Sequence, residues 1–294
     1  MSTIYTGHTD HVFAVAWSPD GHTLASAGRD KTVQVWDPAT GTCHCVFHDH
    51  TSCLLSLAWS PDACAIASGC TGGIVHVWQA STGKIATTYR GHVRFVRGVA
   101  WSPDGRYIVS GGEYGDNTAQ VWDAWIGHSI YTHREQYRVF ATSWSPSGSR
   151  IASASFDGVV QVWDAFGGNH LFTYRGHTGP VYAVAWSPDG LALASAGQDA
   201  TVHIWSPDAG NSACIYHGHT RAVKTIAWSP DNKYVASGSD DASVQVWSAV
   251  TGELLAINHH TAWLRSVSWS PNGRSIASSC DKTVHVWTPS RQSS

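Results

Sequence analysis

Short runs of apolar and β-branched residues alternate with polar turn segments along the whole chain, and one arrangement of them recurs about every 42 residues. The first copy opens with the run 12–17, which stops at Ser-Pro-Asp-Gly. Proline presets the φ of a tight turn and glycine tolerates the positive φ that follows it. Further strand-forming runs cover 23–27, 32–36 and roughly 42–47. Three successive hairpins of this kind predict a four-stranded antiparallel meander.

The unit occurs seven times. Its third-strand tryptophan is Trp36 in the first copy, and the later ones follow at intervals of 42, 44, 41, 42, 42 and 40 residues. Residues 180–206 match residues 11–37 at 18 of 27 positions, so the copies are close duplicates. A period of this length is typical of propeller blades. We therefore predict an all-β fold, a seven-bladed β-propeller in one domain, residues 1–294. The predicted blades cover about 8–48, 49–90, 91–133, 134–175, 176–217, 218–258 and 259–288, the last one completed by 2–6.

The two ends of the chain predict how the ring closes. The seventh copy supplies three strands and no good fourth one, whereas residues 2–8 resemble fourth strands elsewhere, such as 171–177. We expect the N-terminal strand to complete the last blade, because this closure removes the free sheet ends of an open array.

The common pattern of the copies is Gly-His or a variant of it, a serine in the second strand, an aspartate in the following turn and a tryptophan in the third strand. Together these residues resemble the WD40-repeat family over essentially the whole chain. In that family the four side chains form a hydrogen-bonded structural tetrad. Carried over by position, the tetrads are His8, Ser26, Asp30 and Trp36; His50, Ser68 and Trp78; His92, Ser110, Asp116 and Trp122; Ser153, Asp157 and Trp163; His177, Ser195, Asp199 and Trp205; His219, Ser237, Asp241 and Trp247; and His260, Ser278, Asp281 and Trp287.

Two blades depart from this pattern. Gly72 stands at the aspartate position of blade 2, and Gln136 stands at the histidine position of blade 4. We expect these two networks to be incomplete or rebuilt, and the blades to be locally weaker.

The repeated Ser, His and Asp residues invite a catalytic interpretation, but the structural one is stronger. A buried imidazole between Asp and Ser satisfies polar groups that would otherwise cost about 1–3 kcal/mol each. Nothing in the spacing indicates an oxyanion hole, and seven copies of one active site are implausible. We predict no catalytic residue, no cofactor and no enzyme activity.

The segment 43–50 contains two cysteines and three histidines and is a candidate for metal binding. Strand alternation places Cys43 and Cys45 on one face and His44 on the other. A structural zinc site needs four convergent ligands, so we predict no metal site here. The third-strand histidines outside the tetrads are expected at exposed positions; these are His76, His203 and His285.

Composition narrows the function classes further. The formal net charge of −3 gives no global basic field for a nucleic-acid or membrane partner. No apolar run approaches the roughly 18–20 residues of a membrane span, and the first residues lack a signal-peptide pattern. An odd count of seven cysteines in a chain with a large core favours reduced thiols, and hence the cytoplasm. A closed ring needs no partner for stability, so we expect a monomer.

Where a framework repeats this closely, the positions that differ between copies are the candidates for function. The family resemblance places three positions of each blade on the top face. In this chain they are rich in aromatic residues and arginine, which dominate binding hot spots, and a basic rim suits an acidic or phosphorylated peptide. The candidate partner-binding residues are Phe13, Arg29, Phe95, Arg97, Tyr114, Arg138, Phe140, Phe156, Tyr182, Lys224, Trp263 and Arg265.

These residues predict a non-catalytic scaffold that binds a protein or peptide at the top face and channel mouth. Two alternatives stay open on the sequence. One is a designed or recently amplified propeller without an evolved ligand, in which these positions simply drift. The other is a regulatory domain excised from a larger signalling protein.

Overall fold

The computed structural model describes residues 3–290, which form 28 β-strands in seven four-stranded antiparallel sheets. This confirms the predicted seven-bladed propeller. Blades 1 to 6 each consist of four consecutive strands, beginning with β2, and blade 7 has the order β1-β28-β27-β26. The innermost strands contact one another around the ring, and β2 of blade 1 contacts β26 of blade 7. Among residues 3–290, no helix is long and apolar enough to span a membrane.

From the channel outward, each blade has an innermost, a second, a third and an outer strand. The innermost strands, in blade order, are β2 (Val12–Trp17), β6 (Leu54–Trp59), β10 (Val96–Trp101), β14 (Val139–Trp144), β18 (Val181–Trp186), β22 (Val223–Trp228) and β26 (Leu264–Trp269). The second strands are β3 (Leu24–Gly28), β7 (Ala65–Cys70), β11 (Tyr107–Gly112), β15 (Arg150–Ser155), β19 (Leu193–Gly197), β23 (Tyr234–Ser239) and β27 (Ile276–Cys280).

The third strands carry the repeated tryptophans, and the outer strands are the most exposed. The third strands are β4 (Val33–Trp36), β8 (Val75–Gln79), β12 (Thr118–Asp123), β16 (Val160–Asp164), β20 (Val202–Trp205), β24 (Ser243–Ser248) and β28 (Thr283–Trp287). The outer strands are β5 (Cys43–Phe47), β9 (Ile85–Tyr89), β13 (Ser129–Arg134), β17 (His170–Tyr174), β21 (Ser212–Tyr216), β25 (Leu254–His259) and, in blade 7, β1 (Thr3–Tyr5).

Each innermost strand has a β-bulge near its start, where the register to the second strand shifts. In blade 1 the shift lies between Val12 and Ala14, so Phe13 is the extra residue. The same shift occurs at the corresponding place in the other six blades. A bulge leaves one residue out of the ladder and turns its side chain in a new direction. We call the face at which the innermost strands begin the top face.

The core lies between neighbouring sheets. The second strands bury alanines such as Ala25 and Ala27, both fully inaccessible, against the next blade. The small side chains leave room for the large third-strand tryptophans, six of which are among the largest fully buried side chains of the molecule. Alternation of small and large residues lets the sheets interlock at the density of a protein interior.

The N-terminal strand closes the ring, as the sequence predicts. Thr3 pairs with Val286 and Tyr5 with Val284 on β28. The Tyr5 ring also stacks on Trp36 of blade 1 with ring centroids 4.2 Å apart, and its hydroxyl donates to Gln34 Oε1 at 2.6 Å. Three residues therefore complete the last blade and join it to the first.

Deletion of residues 2–6 should lower the melting temperature by at least about 10 °C, because it removes the last strand of blade 7 and the buried Tyr5 ring together. Thermal unfolding followed by circular dichroism measures this. The matched control is Ile4→Ser, since Ile4 is 54% exposed; its melting temperature should stay close to that of the parent. An unchanged melt of the deletion variant would contradict the closure.

Candidate functional site

The polar residues of the repeat form closed hydrogen-bond networks inside four blades. In blade 1, His8 Nδ1 lies 2.8 Å from Asp30 Oδ2, and His8 Nε2 lies 2.8 Å from Ser26 Oγ. Trp36 Nε1 donates to the same serine oxygen at 3.1 Å. Blades 3, 5 and 6 have the same contacts in the networks of His92, His177 and His219.

Ionisation of the aspartate fixes the direction of each bond. Burial raises the pKa of Asp30, but the hydrogen bond from His8 and the backbone N–H of Thr32 outweigh it and hold the pKa at about 2. The carboxylate therefore accepts the Nδ1 proton, and Nε2 is left to accept from the serine hydroxyl. With this tautomer of His8, Ser26 donates its one proton to His8 and accepts from Trp36.

Blade 2 lacks the aspartate, and its network is open at one end. His50 Nε2 lies 2.8 Å from Ser68 Oγ, and Trp78 donates to that oxygen at 3.2 Å. His50 Nδ1 is buried without a hydrogen-bond partner. Burial, with a smaller contribution from the neighbouring His76, lowers the pKa of His50 to about 3. The imidazole is thus held neutral beside the vacant aspartate position.

Blade 4 corrects the sequence prediction. Glu135, not Gln136, takes the place of the histidine: Glu135 Oε1 accepts from Ser153 Oγ at 2.5 Å, and Oε2 accepts from Gln161 Nε2. Asp157 makes no bond to Glu135 and instead accepts from Ser155 and from the N–H of residue 159. The signal for Glu135 is present in the sequence, since it precedes its serine by 18 residues, as His8 precedes Ser26.

Glu135, at the position that histidine occupies in other blades, places a carboxyl group in a largely buried site. Burial raises the pKa of Glu135 to about 7; Asp157 adds to the rise, while the bonds from Ser153 and Gln161 oppose it. His133 stacks on Trp163 and its Nε2 lies 3.6 Å from Glu135 Oε1. Because burial lowers the pKa of His133, both groups favour their neutral forms.

The network of blade 7 also differs from the one predicted from the sequence. His260 Nε2 lies 3.2 Å from Ser278 Oγ, but His260 Nδ1 and Trp287 Nε1 are buried without partners among the residues that the structure describes. Asp281 does not reach His260 and lies instead 2.9 Å from His11 Nδ1 of blade 1. The turn before β28 is one residue shorter than in other blades, and this redirects the aspartate across the closing junction.

The third-strand histidines are not exposed as predicted. His76 and His203 are 6% and 5% exposed, and His285 is half-buried. His203 Nδ1 lies 2.7 Å from the Tyr174 hydroxyl, where Gln34 meets Tyr5 in blade 1. These histidines fill the glutamine position of the framework.

One group of residues could in principle hold a metal ion. His177, Asp199 and His203 offer ligand atoms within 4.8 Å of one another. However, His177 Nδ1 is bound to Asp199 at 2.9 Å, and His203 Nδ1 is bound to Tyr174. The hydrogen-bond network of the blade accounts for this group. All seven cysteines are free thiols.

The bulged residues meet at the top end of the channel. They line a cavity of about 220 Å³, which we call the channel mouth, and each blade contributes one of them. The lining residues are Phe13, Leu55, Arg97, Phe140, Tyr182, Lys224 and Arg265. Six of the predicted partner-binding residues therefore come together at one site because each is displaced from its ladder in the same way.

Acidic side chains neutralise part of the predicted basic rim. Arg97 Nε lies 3.2 Å from Oε2 of Glu113, which is only 1% exposed. Burial raises the pKa of Glu113, whereas the charge of Arg97 lowers it. Lys224 Nζ lies 3.4 Å from Asp240, and its pKa is lowered by burial. The sequence analysis did not identify Glu113 as the partner of Arg97.

The remaining candidates divide between the rim and an aromatic cluster. Arg29 Nε lies 3.7 Å from Asp10 on the exposed rim of blade 1. Trp263 is exposed beside Arg265, with the guanidinium 5.5 Å from its ring centroid. The other four residues lie together where blades 3 and 4 meet; they are Phe95, Tyr114, Arg138 and Phe156.

Comparison with known proteins places the molecule in a family. The profile of the WD domain, G-beta repeat, matches residues 1–37, 41–79, 83–123, 126–164, 168–206, 210–248 and 252–288. The chain belongs to the WD40-repeat family. The seven matches coincide with the seven repeats, so the family accounts for the scaffold.

The similarity to curated relatives extends over about the length of a single repeat. A probable cytosolic iron-sulfur protein assembly protein CIAO1 homolog of Nematostella vectensis is 61% identical over 31 residues, 10% of each chain. Ribosome biogenesis protein BOP1 homologs of Drosophila virilis and Drosophila melanogaster are 50% identical over 42 residues, 14% of this chain and 5% of theirs. The chain thus aligns with a small part of these relatives.

Gly72→Asp should complete the network of blade 2, because the carboxylate supplies the missing acceptor for His50 Nδ1. A Cβ at this position meets Ser52 Oγ at 2.9 Å; a rotation of that serine side chain relieves the contact but gives up the hydrogen bond that it accepts from the N–H of residue 72 at 3.0 Å, in the aspartate and the alanine variant alike. We expect the melting temperature to rise by about 2–4 °C, equivalent to about 1 kcal/mol. Gly72→Ala is the control and should give no gain; an equal gain in both variants would contradict the account.

Glu135→Gln should change the pH dependence of stability. Folding raises the pKa of the Glu135 carboxyl from 4.5 to about 7, so the folded state binds its proton more tightly than the unfolded state. The resulting contribution to the free energy of unfolding is fully present below pH 4.5 and is lost as the pH rises through 7. Relative to the parent, the variant should therefore gain about 3 kcal/mol between pH 4.5 and pH 8. Urea unfolding at several pH values measures the difference in the free energy of unfolding between the variant and the parent. The buried histidines titrate in both proteins, so their contribution cancels in this difference. A constant difference would refute the raised pKa.

Proposed function

We propose that this WD40 chain is a non-catalytic interaction module that binds a protein or peptide at the channel mouth and the adjoining top face. The observation that carries the proposal is the convergence of seven bulged residues, one from each blade, around a single cavity. Aromatic and cationic side chains predominate there, and such residues supply most of the energy of protein interfaces.

Two aromatic residues of the channel mouth pack against each other. The rings of Phe140 and Tyr182 lie 5.2 Å apart, and Lys224 Nζ lies 3.5 Å from the Tyr182 ring centroid. The Tyr182 hydroxyl donates to Gln198 at 2.6 Å, which holds the ring in position. Side chains held in this way lose little conformational entropy when a ligand binds.

The charges favour a ligand with an acidic group. Among residues 3–290, Arg138 and Arg265 have no carboxylate within 4 Å, whereas Arg97 and Lys224 are paired. Two free guanidinium groups over a partly neutralised rim suit a peptide with one or two acidic side chains better than a polyanion. We further propose a monomer in the cytoplasm, supported by the closed ring and the seven free thiols.

The test is selection of peptides from a displayed library on the immobilised protein, followed by affinity measurement. The double variant Phe140→Ala/Tyr182→Ala should bind the selected peptides at least about tenfold more weakly than the parent, with its melting temperature recorded as a check on folding. Leu191→Ala is the matched control, because Leu191 is 75% exposed in a turn of blade 5, at the end opposite to Tyr182. Selected peptides that bind both variants equally would contradict the proposal, as would a library without enriched peptides.

A variant that tests the role of the top-face arginines must leave Arg97 in place. Its replacement would strip a buried carboxylate of its cation, and such losses cost stability. Arg97 is therefore not free to vary without a cost in stability. Arg138 and Arg265 have no such partner and can be replaced together.

A further inference from the structure

We propose that Arg138 is a preformed subsite for one oxyanion of the bound peptide, either a phosphoryl or a carboxylate group. The inference rests on the proposed function and adds to it the chemistry that the top face selects. The residues that support it lie where blades 3 and 4 meet, outside the channel mouth.

Aromatic rings hold the guanidinium of Arg138. Its Cζ lies 3.9 Å from the ring centroid of Tyr114 and 5.2 Å from that of Phe156. Arginine contacts aromatic rings without using its N–H donors. Among residues 3–290, the guanidinium donates to no acceptor and no carboxylate approaches within 4 Å. An arginine held over two rings, with unused donors, is prepared for bidentate binding of an oxyanion.

The turn that supplies Tyr114 is peculiar to blade 3, which is longer at this point than the other blades by two residues. Tyr114 has φ +48° and Phe95 has φ +35°, and their rings lie 4.9 Å apart. Bulky residues rarely adopt positive φ, and the conformation persists only where the surroundings enforce it. The unusual backbone brings Tyr114 over an arginine of the neighbouring blade.

The buried acid Glu113 pairs with Arg97 and not with this cation. Arg97 Nε lies 3.2 Å from Glu113 Oε2, and the charge of Arg138 makes a smaller contribution to lowering the pKa of Glu113. The two rings over the guanidinium are themselves partly exposed and offer contact area to the residues that flank the oxyanion. Tyr114 is 47% exposed and Phe156 is 43% exposed.

Oriented peptide libraries test the subsite. Three libraries with the same degenerate flanks carry a fixed central phosphoserine, glutamate or serine. The protein should retain the phosphoserine or the glutamate library at least about tenfold better than the serine library. A preference for phosphoserine alone assigns a phosphoryl group, and equal retention of both acids assigns a general oxyanion site. Equal retention of all three would overturn the proposal.

Variants separate bidentate binding from simple charge attraction. Arg138→Lys keeps the charge but not the planar fork, and it should lose most of the preference, as should Arg138→Gln. Arg274→Gln is the matched control, since Arg274 is an exposed arginine in a turn at the opposite face. A lysine variant that keeps the full preference would overturn the assignment of a bidentate site.

A readout without any peptide distinguishes the two proposals. Titration with phenyl phosphate or acetate should shift the ¹⁵N–¹H signal of Arg138 Nε, which Arg138→Gln identifies by its loss, and should leave that of Arg274 in place. If this shift occurs while no library is enriched, the subsite stands and the peptide function fails. If peptides are enriched without acidic preference and the signal does not move, the peptide function stands and the subsite is refuted.

Discussion

The buried third-strand tryptophan is the interaction on which the rest of this propeller depends. In blade 1, Trp36 donates its indole N–H to Ser26 of its own sheet and stacks on Tyr5, an outer-strand residue of the preceding sheet. One side chain thereby joins strands within a blade and joins neighbouring blades. Stacked pairs of this kind recur at six of the seven junctions described. The stacking partners are Tyr5, Phe47, Tyr89, His133, Tyr174 and Tyr216.

The same framework explains where variation is tolerated. In blades 1, 3, 5 and 6 the Ser, His and Asp residues bind one another and the tryptophan, so they hold the blade together. The bulge at the start of each innermost strand releases one residue from the ladder and directs it to the channel mouth. Because the sheet does not constrain that residue, Phe13, Arg97 and Lys224 can occupy equivalent positions. Under the proposed function, the framework and the recognition of a ligand therefore rest on different residues of one repeat.

Periodicity was sufficient to predict the propeller, the strand order and the closure by Tyr5, because these depend on features present in every copy. Prediction failed at two places for different reasons. Glu135 keeps the usual spacing of 18 residues to its serine, but a glutamate does not match the Gly-His motif, so Gln136 was assigned in its place. In blade 7 a turn one residue shorter carries Asp281 away from His260. The ion pairs at the top face, such as Arg97 with Glu113, were also hidden, since they join residues from positions outside the repeated pattern.

Native-state hydrogen exchange, read blade by blade by mass spectrometry, tests most directly whether these networks hold the blades. Exchange reports the free energy of local opening. The account predicts slower exchange in the second and third strands of blades 1, 3, 5 and 6, where the networks are complete, than in blades 2, 4 and 7. The least protected should be blade 7, whose Trp287 has neither a serine acceptor nor a stacked ring within residues 3–290. Equal protection in all seven blades, or greater protection in blades 2, 4 and 7, would contradict it.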